Sequence, residues 1–206
     1  MGARGDIRVA PPEGKPGMTA FLEFPRQVYR GDPYWVPPVL SQQRALLDPR
    51  RGPFFEFGEA QYLLAWQCGE PVGRISAHVN RRYERHHDTH TGFFGFFECA
   101  NDPAEARALF DAAAAWLRTR GKTRIVGPMS FTIYDEIGLL VDGFDTLPPI
   151  LLTHNPPYYA GLVTAWGFSK AVDWFALRVT NRNVDVDRME QEAAQILART
   201  TAALRA

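Results

Sequence analysis

The stretch that most constrains the fold is a strand, a loop and a helix within residues 92–120. Residues 91–98 hold four phenylalanines and two glycines and carry no charge before Glu98. This mixture of large and small residues predicts a buried central strand, with another backbone segment approaching closely at Gly95. The first half of the unit is therefore predicted to lie inside the protein.

A helix start follows this strand. Asp102 suits the N-cap, Pro103 the first helical position, and Glu105 completes an arrangement like a capping box. Apolar residues then recur at helical spacing and form one stripe: Ala106, Leu109, Phe110, Ala113, Trp116 and Leu117. Gly121 ends the helix, and residues 123–126 are predicted to form the next strand.

The rest of the chain supplies further elements. The predicted strands are 62–66 and 72–79, which form a hairpin, then 91–98, 123–126 and 171–179. The other predicted helices are 19–29, interrupted at Pro25, then 41–47, 156–166 and 184–206, whereas 80–90 is a polar loop. This order predicts an α/β fold with a mixed central sheet flanked by helices. We expect a flexible tail at 1–17, one domain at 18–180 and a C-terminal helix at 181–206.

Composition excludes several classes of protein. The 23 basic residues balance the 23 acidic ones without a basic stripe, which argues against nucleic acid as a partner. No apolar run is long enough to span a membrane, and the first 17 residues lack the apolar core of a signal peptide. Two cysteines make no disulfide framework. A cytoplasmic location without membrane association is therefore expected.

Two stretches carry a resemblance to a known superfamily. Residues 64–75 (LAWQCGEPVGRI) and 162–168 (LVTAWGF) make residues 61–179 similar to the GNAT acyl-CoA N-acyltransferases. The chain resembles more closely a bacterial GNAT-like group whose members carry a second GNAT-like half. The shared phrases are WVPP at 35–38, NRR at 80–82, GFFGFFE at 92–98, GPM at 127–129 and NPPYY at 155–159.

The resemblance implies acyl transfer from acetyl-CoA or another acyl-CoA, whose pyrophosphate binds the backbone after the central strand. In this chain that loop, residues 98–105, contains neither glycine nor a basic residue. Carboxylates at a helix start oppose a bound anion, so CoA must be held unusually, or another acyl carrier serves. The resemblance also implies a tyrosine four residues before Gly167, where this chain has Val163.

Glu98 is the main catalytic candidate because an apolar strand precedes it, and burial suits a carboxylate to act as a base on an amine. Tyr158 is the second catalytic candidate. The predicted substrate-binding residues are Tyr134, Asp135, Glu136, His154, Asn155 and Tyr159. For Glu98 the alternative is a strand-end glutamate bonded to nearby backbone. For residues 134–136 the alternative is a solvated turn, and for residues 154–159 it is an ordinary helix start.

Two other clusters are weaker candidates. The imidazoles and carboxylate of His86, His87, Asp88 and His90 are metal-ligand types, but they lie in a polar loop, so no metal is expected. Cys99 lacks an identifiable base, and a buried thiol is the common case.

We therefore predict an acyltransferase-like enzyme acting on a small amine or amino-acid-like substrate in small-molecule biosynthesis. The alternatives are a binding or dimerisation module without CoA chemistry, and an enzyme of a different reaction in the same cleft. A homodimer is also expected, with apolar surface supplied by the tail helix and by the aromatic pairs at 34–35 and 54–55.

Overall fold

The computed structural model describes residues 5–177, 180 and 185–199, and its contacts divide the chain into two units, Met1–Ser169 and Lys170–Ala206. The strands of the first unit are β1 (Arg8–Ala10), β2 (Gly58–Gln67), β3 (Glu70–Asn80), β4 (Thr91–Cys99) and β5 (Arg124–Val126). Its helices are α1 (Gly14–Glu23), α2 (Pro25–Val28), α3 (Leu40–Leu46), α4 (Arg81–His86), α5 (Pro103–Arg118) and α6 (Tyr159–Trp166), with a 3₁₀ turn at Pro53–Glu56. The second unit contains α7 (Val186–Arg199).

The strands of the first unit form one sheet in the order β1-β2-β3-β4-β5. Pairing is antiparallel from β1 to β4 and parallel between β4 and β5. Parallel neighbours need a crossover connection, which α5 provides. The predicted α/β fold with a mixed central sheet and flanking helices is confirmed.

Helix α5 packs on the sheet through the stripe that its sequence predicts. The Asp102 side chain accepts the amide N–H of Ala104 at 2.8 Å, which caps the helix. Two strand glycines let the helix approach closely. A Cβ on Gly73 would lie 2.6 Å from Leu109, and a Cβ on Gly92 would lie 2.5 Å from Leu117. The stripe residues Ala106, Leu109, Phe110, Ala113 and Leu117 are all buried.

The two faces of the sheet cover two apolar cores. Successive residues of β2 point to opposite faces, so Leu63 joins the core under α5 and α6, while Leu64 joins the other. The second core is rich in aromatic rings, and the Phe54 and Phe131 rings stack in it at 4.3 Å. Phe54 is therefore buried and does not supply the exposed dimer surface predicted for the pair at 54–55.

A β-bulge in β4 decides which way Glu98 points. Arg74 pairs with Glu98 and Ser76 with Gly95, so β4 has one residue more than β3 between these pairs. Phe96 adopts a φ of 48° within the bulge and packs in the second core. Phe97 and Cys99 then return to the α5 side. Glu98 lies between these two residues and therefore points away from α5.

Two expectations for irregular segments of the first unit are corrected. The tail expected at 1–17 is ordered from Arg8, because β1 pairs with β2 and places Val9 opposite Ala65. Residues 1–4 lie outside the described part. The polar loop expected at 80–90 contains α4, whose first turn is capped by the Asn80 side chain.

The strand predicted at 171–179 is not formed at residues 171–177, which have no regular secondary structure and are exposed. Strand pairing depends on a partner, and these residues pair with no strand of the described chain. Residues 178–179 lie outside the described part, as do the predicted helix positions 184 and 200–206. Among the described residues, no helix has the length and apolar character needed to cross a membrane.

Candidate functional site

The candidate site lies where β5 separates from β4. Pairing between these strands ends at Phe93 and Val126. Beyond it, Met129 donates its amide N–H to the Phe94 carbonyl at 2.8 Å. The backbone then passes so close to Gly95 that a Cβ there would lie 2.0 Å from the Met129 oxygen. A pocket opens past this crossing, and the predicted site residues Glu98, Glu136, His154, Asn155 and Tyr159 line it.

Glu98 is held by three polar side chains. The Tyr159 hydroxyl donates to Oε2 at 2.7 Å, and the Tyr29 hydroxyl lies 2.9 Å from the same oxygen. The guanidinium of Arg74 lies 3.6 Å from Oε1, and the Glu98 side chain is 13% exposed. Burial raises the pKa of Glu98, while the charge of Arg74 and the two phenol hydrogen bonds oppose the rise.

The two phenols are donors to this carboxylate. Burial and the charge of Glu98 raise the pKa of both Tyr29 and Tyr159, so both stay protonated near neutral pH. The Tyr159 oxygen also accepts the Cys99 amide N–H at 2.9 Å. This bond ties α6 to the end of β4 and fixes the phenol beside Glu98.

Sequence reasoning missed Arg74 and Tyr29. Arg74 is the only charged side chain between Val72 and Val79, which was a signal that its charge needs a buried partner. It is 4% exposed and also donates to the Phe21 carbonyl at 2.9 Å. Tyr29 had no comparable signal, because it lies 69 residues from Glu98 in the chain.

Of the three residues predicted at 134–136, only Glu136 lines the pocket. Asp135 is occupied locally, because its carboxylate accepts from the Thr132 hydroxyl at 2.6 Å and from the Thr132 amide at 3.1 Å. Tyr134 is 81% exposed and lies outside the pocket lining. The turn in which Asp135 contacts Thr132 therefore leaves Glu136 in the pocket and the two residues before it outside.

Tyr158 and Tyr159 face different groups. Tyr158, predicted as catalytic, donates to the Cys99 carbonyl at 2.9 Å and does not line the pocket. Tyr159, predicted to bind substrate, contacts Glu98 instead. Adjacent residues at a helix start point about 100° apart, so only one of the pair reaches the carboxylate.

His154 and Asn155 have different partners. Asn155 braces a loop, since its side chain accepts the Leu140 amide at 2.7 Å and donates to the Leu140 carbonyl at 3.3 Å. His154 is paired with Asp32, a residue that sequence reasoning missed, at 2.8 Å between Nε2 and Oδ2. The pocket lining thus combines two carboxylates, two phenols, a guanidinium and the His154 imidazole, which Asp32 contacts from outside the lining.

The start of α5 does not fit a CoA pyrophosphate. Asp102 already accepts the Ala104 amide, Pro103 has no N–H, and Glu105 is buried in the first turn. The Cys99 thiol lies 3.8 Å from the Glu105 carboxylate. Burial raises the pKa of Cys99, and the charge of Glu105 raises it further, which disfavours a thiolate nucleophile.

Asp88 organises the segment that holds His86, His87 and His90. Asp88 accepts the amide N–H groups of His90 at 2.8 Å and Thr91 at 2.7 Å, so it closes a turn. Within the described residues, no group of three or more metal-ligating side chains is placed to hold an ion.

Solved structures identify the class of fold. A tandem GNAT protein from the clavulanic acid biosynthesis pathway matches with a TM-score of 0.52 and 14% identity over 79% of this chain and 43% of that one. An aminoglycoside acetyltransferase from an uncultured soil metagenomic sample matches with a TM-score of 0.50 and 9% identity, over 85% and 96%. The chain has the GNAT fold. No protein-family model matches it.

Two curated proteins are similar in sequence. A bacterial ceramide synthase of Caulobacter vibrioides is 38% identical over 174 residues, which cover 84% of this chain and 45% of that protein. The protein YghO of Escherichia coli K12 is 36% identical over 162 residues, covering 79% and 41%. The chain therefore spans less than half the length of these relatives.

Proposed function

We propose that this chain belongs to an N-acyltransferase that forms an amide on the amine of a long-chain amino lipid, with Glu98 as the proton acceptor. A ceramide is the amide of a fatty acid and a long-chain base, so the similarity to a bacterial ceramide synthase supports this substrate class. The observation that carries the proposal is the buried Glu98 carboxylate at the open end of the sheet, held between Tyr29, Tyr159 and Arg74.

The arrangement suits the chemistry of an amine. An amine arrives as an ammonium ion and must lose a proton before its nitrogen attacks an acyl carbonyl. Glu98 accepts that proton, the N–C bond forms, and the bond between the acyl carbon and its carrier breaks. Tyr29 and Tyr159 hold the carboxylate by donating hydrogen bonds to it. The departing carrier takes up the second proton, which the nitrogen loses as it becomes the amide.

The acyl donor is proposed to bind away from the start of α5, since that helix start is already capped by Asp102. Two donors are therefore tested, an acyl-CoA and an acylated carrier protein. Amide formation from a long-chain base and either donor is measured by mass spectrometry.

The decisive variant is Glu98→Gln, which keeps the size of the side chain and removes its basicity. Loss of a general base lowers turnover by about 100-fold or more. The matched control is Glu70→Gln at the exposed start of β3, which leaves turnover unchanged. Thermal melting verifies that both variants fold. Unchanged turnover in a folded Glu98→Gln protein would overturn the role of Glu98.

The capped start of α5 favours a second proposal from another class, a GNAT-fold module that binds its ligand or a partner without acyl transfer. Under this second proposal, no amide forms from either donor, and the Glu98→Gln variant retains the biological activity of the protein.

We also propose a homodimer in a reducing cytoplasm. Exposed apolar side chains support association, among them Ile150 (94% exposed) and Leu151 (61%) in the first unit and Phe175 (83%) in the second. Cys68 is an exposed free thiol, which supports the reducing compartment. A light-scattering mass near the 23.2 kDa of one chain would refute the dimer.

A further inference from the structure

Arg74 is buried beside Glu98 by the pairing of β3 with β4. The two residues stand opposite each other in this pairing, so their side chains lie on the same face of the sheet. A guanidinium nitrogen of Arg74 lies 3.6 Å from Glu98 Oε1, and the two side chains are 4% and 13% exposed. Among the described residues that line the pocket, Arg74 is the only lysine or arginine. The buried carboxylate therefore has one permanent positive charge beside it.

The end of α1 anchors the guanidinium of Arg74. In a continuous helix the Phe21 carbonyl would accept the amide N–H of residue 25, but that residue is Pro25, which has none. Arg74 donates to this carbonyl instead, at 2.9 Å. Its guanidinium carbon also lies 5.1 Å from the centroid of the Phe21 ring. The positive charge is thus held in place by α1 as well as by Glu98.

Four other side chains bear on the ionisation of Glu98. The phenols of Tyr29 and Tyr159 donate to its Oε2 and favour the carboxylate. Glu136 lines the same pocket, and its negative charge raises the pKa of Glu98. His154 also lines the pocket, and its ring contacts that of Tyr29. The phenols are neutral, so they supply dipoles and no charge to compensate the buried carboxylate.

We propose that Arg74 is a positioning residue that keeps Glu98 an ionised proton acceptor at neutral pH. This inference rests on the proposed function, because it concerns how the base of the same site is controlled by pH. A neutral carboxylic acid cannot take the proton of an ammonium group, so Glu98 is active only when ionised. An arginine stays protonated throughout the physiological pH range, so its charge acts on Glu98 at every such pH.

The test measures the protonation of Glu98 directly and needs no substrate. Carbon-13 NMR of the full chain, labelled at the glutamate carboxyl carbons, follows each carboxyl against pH, and the Glu98 signal is the one that Glu98→Gln removes. In wild type the midpoint of this titration is expected below neutral pH. Arg74→Met and Arg74→Gln remove the charge. In both variants the midpoint is expected to rise by about 1–3 pH units, because a neighbouring positive charge lowers the pKa of a carboxyl by this amount.

The two variants differ in what else they remove. Arg74→Gln keeps a donor that can serve the Phe21 carbonyl, so it separates loss of the charge from loss of the anchor. The control is Arg85→Met, at an exposed arginine of α4, which leaves the Glu98 midpoint unchanged. If Arg74 had a purely structural role, both variants would melt at a lower temperature while the midpoint stayed where it is in wild type.

The outcomes separate this inference from the function it rests on. A wild-type midpoint above neutral pH, or an unchanged midpoint in either folded variant, overturns the role of Arg74 whatever the reaction proves to be. If the midpoint rises as expected but neither acyl donor yields an amide, the proposed function is wrong and the control of Glu98 by Arg74 stands. If both variants fail to fold, the wild-type midpoint decides, since burial without a compensating charge would place it above neutral pH.

Discussion

His78 lies near the end of β3, and its imidazole is enclosed by aromatic rings. The ring centroids of Phe54, Phe93 and Phe131 lie 5.5, 5.6 and 5.4 Å from that of His78. The residue is fully buried, and burial lowers its pKa to about 3. The folded protein therefore holds this imidazole neutral at a pH where the unfolded chain protonates it.

The sign of the pH dependence follows from this difference. An unfolded histidine takes up a proton near pH 6.5, and the folded one only near pH 3, so acid favours the unfolded chain between these values. The stability that the neutral ring retains above pH 6.5 is lost as the pH falls towards 3. Relative to pH 7.5, the loss at pH 5 is about 2 kcal/mol, because the unfolded histidine is then about 30-fold more protonated than neutral.

Urea unfolding at pH 7.5 and at pH 5 measures this loss. His78→Phe keeps an aromatic ring in the cluster and removes the titration, so its loss between the two pH values is smaller than that of wild type by about 2 kcal/mol. His90→Gln, at an exposed histidine, is the control and leaves the wild-type loss unchanged. Equal losses in wild type and His78→Phe would refute the argument that His78 is buried and neutral.

Further predictions concern the backbone around the site. Gly95→Ala destabilises the protein by at least about 2 kcal/mol, because its Cβ would meet the Met129 carbonyl oxygen at 2.0 Å. Gly161→Ala is its control in urea unfolding, since nothing lies within 4 Å of that Cβ and alanine stabilises a helix by about 0.5–1 kcal/mol. Asp102→Ala removes the cap on the Ala104 amide and lowers the free energy of unfolding by about 1 kcal/mol, and a stability equal to wild type would contradict this capping role.

Most of the secondary structure could be predicted because its signals are local. The expected hairpin is β2 and β3, with its turn at Cys68 and Gly69. The predicted end of α6 is confirmed at Gly167, which adopts a left-handed φ of 118°. The strand expected at 171–179 does not form at the described residues 171–177, because a strand depends on a partner that its own residues do not specify.

By itself the sequence determined where β4 ends, where α5 begins and that Glu98 stands between them, since each of these signals lies within a few residues. Only the tertiary structure decided what Glu98 meets. The bulge at Phe96 turns the carboxylate away from α5. Contacts across 69 and 61 residues of chain then bring Tyr29 and Tyr159 to it. No local pattern encodes such contacts, because they arise when the sheet and its covering helices pack together and a buried carboxylate takes the donors that packing provides.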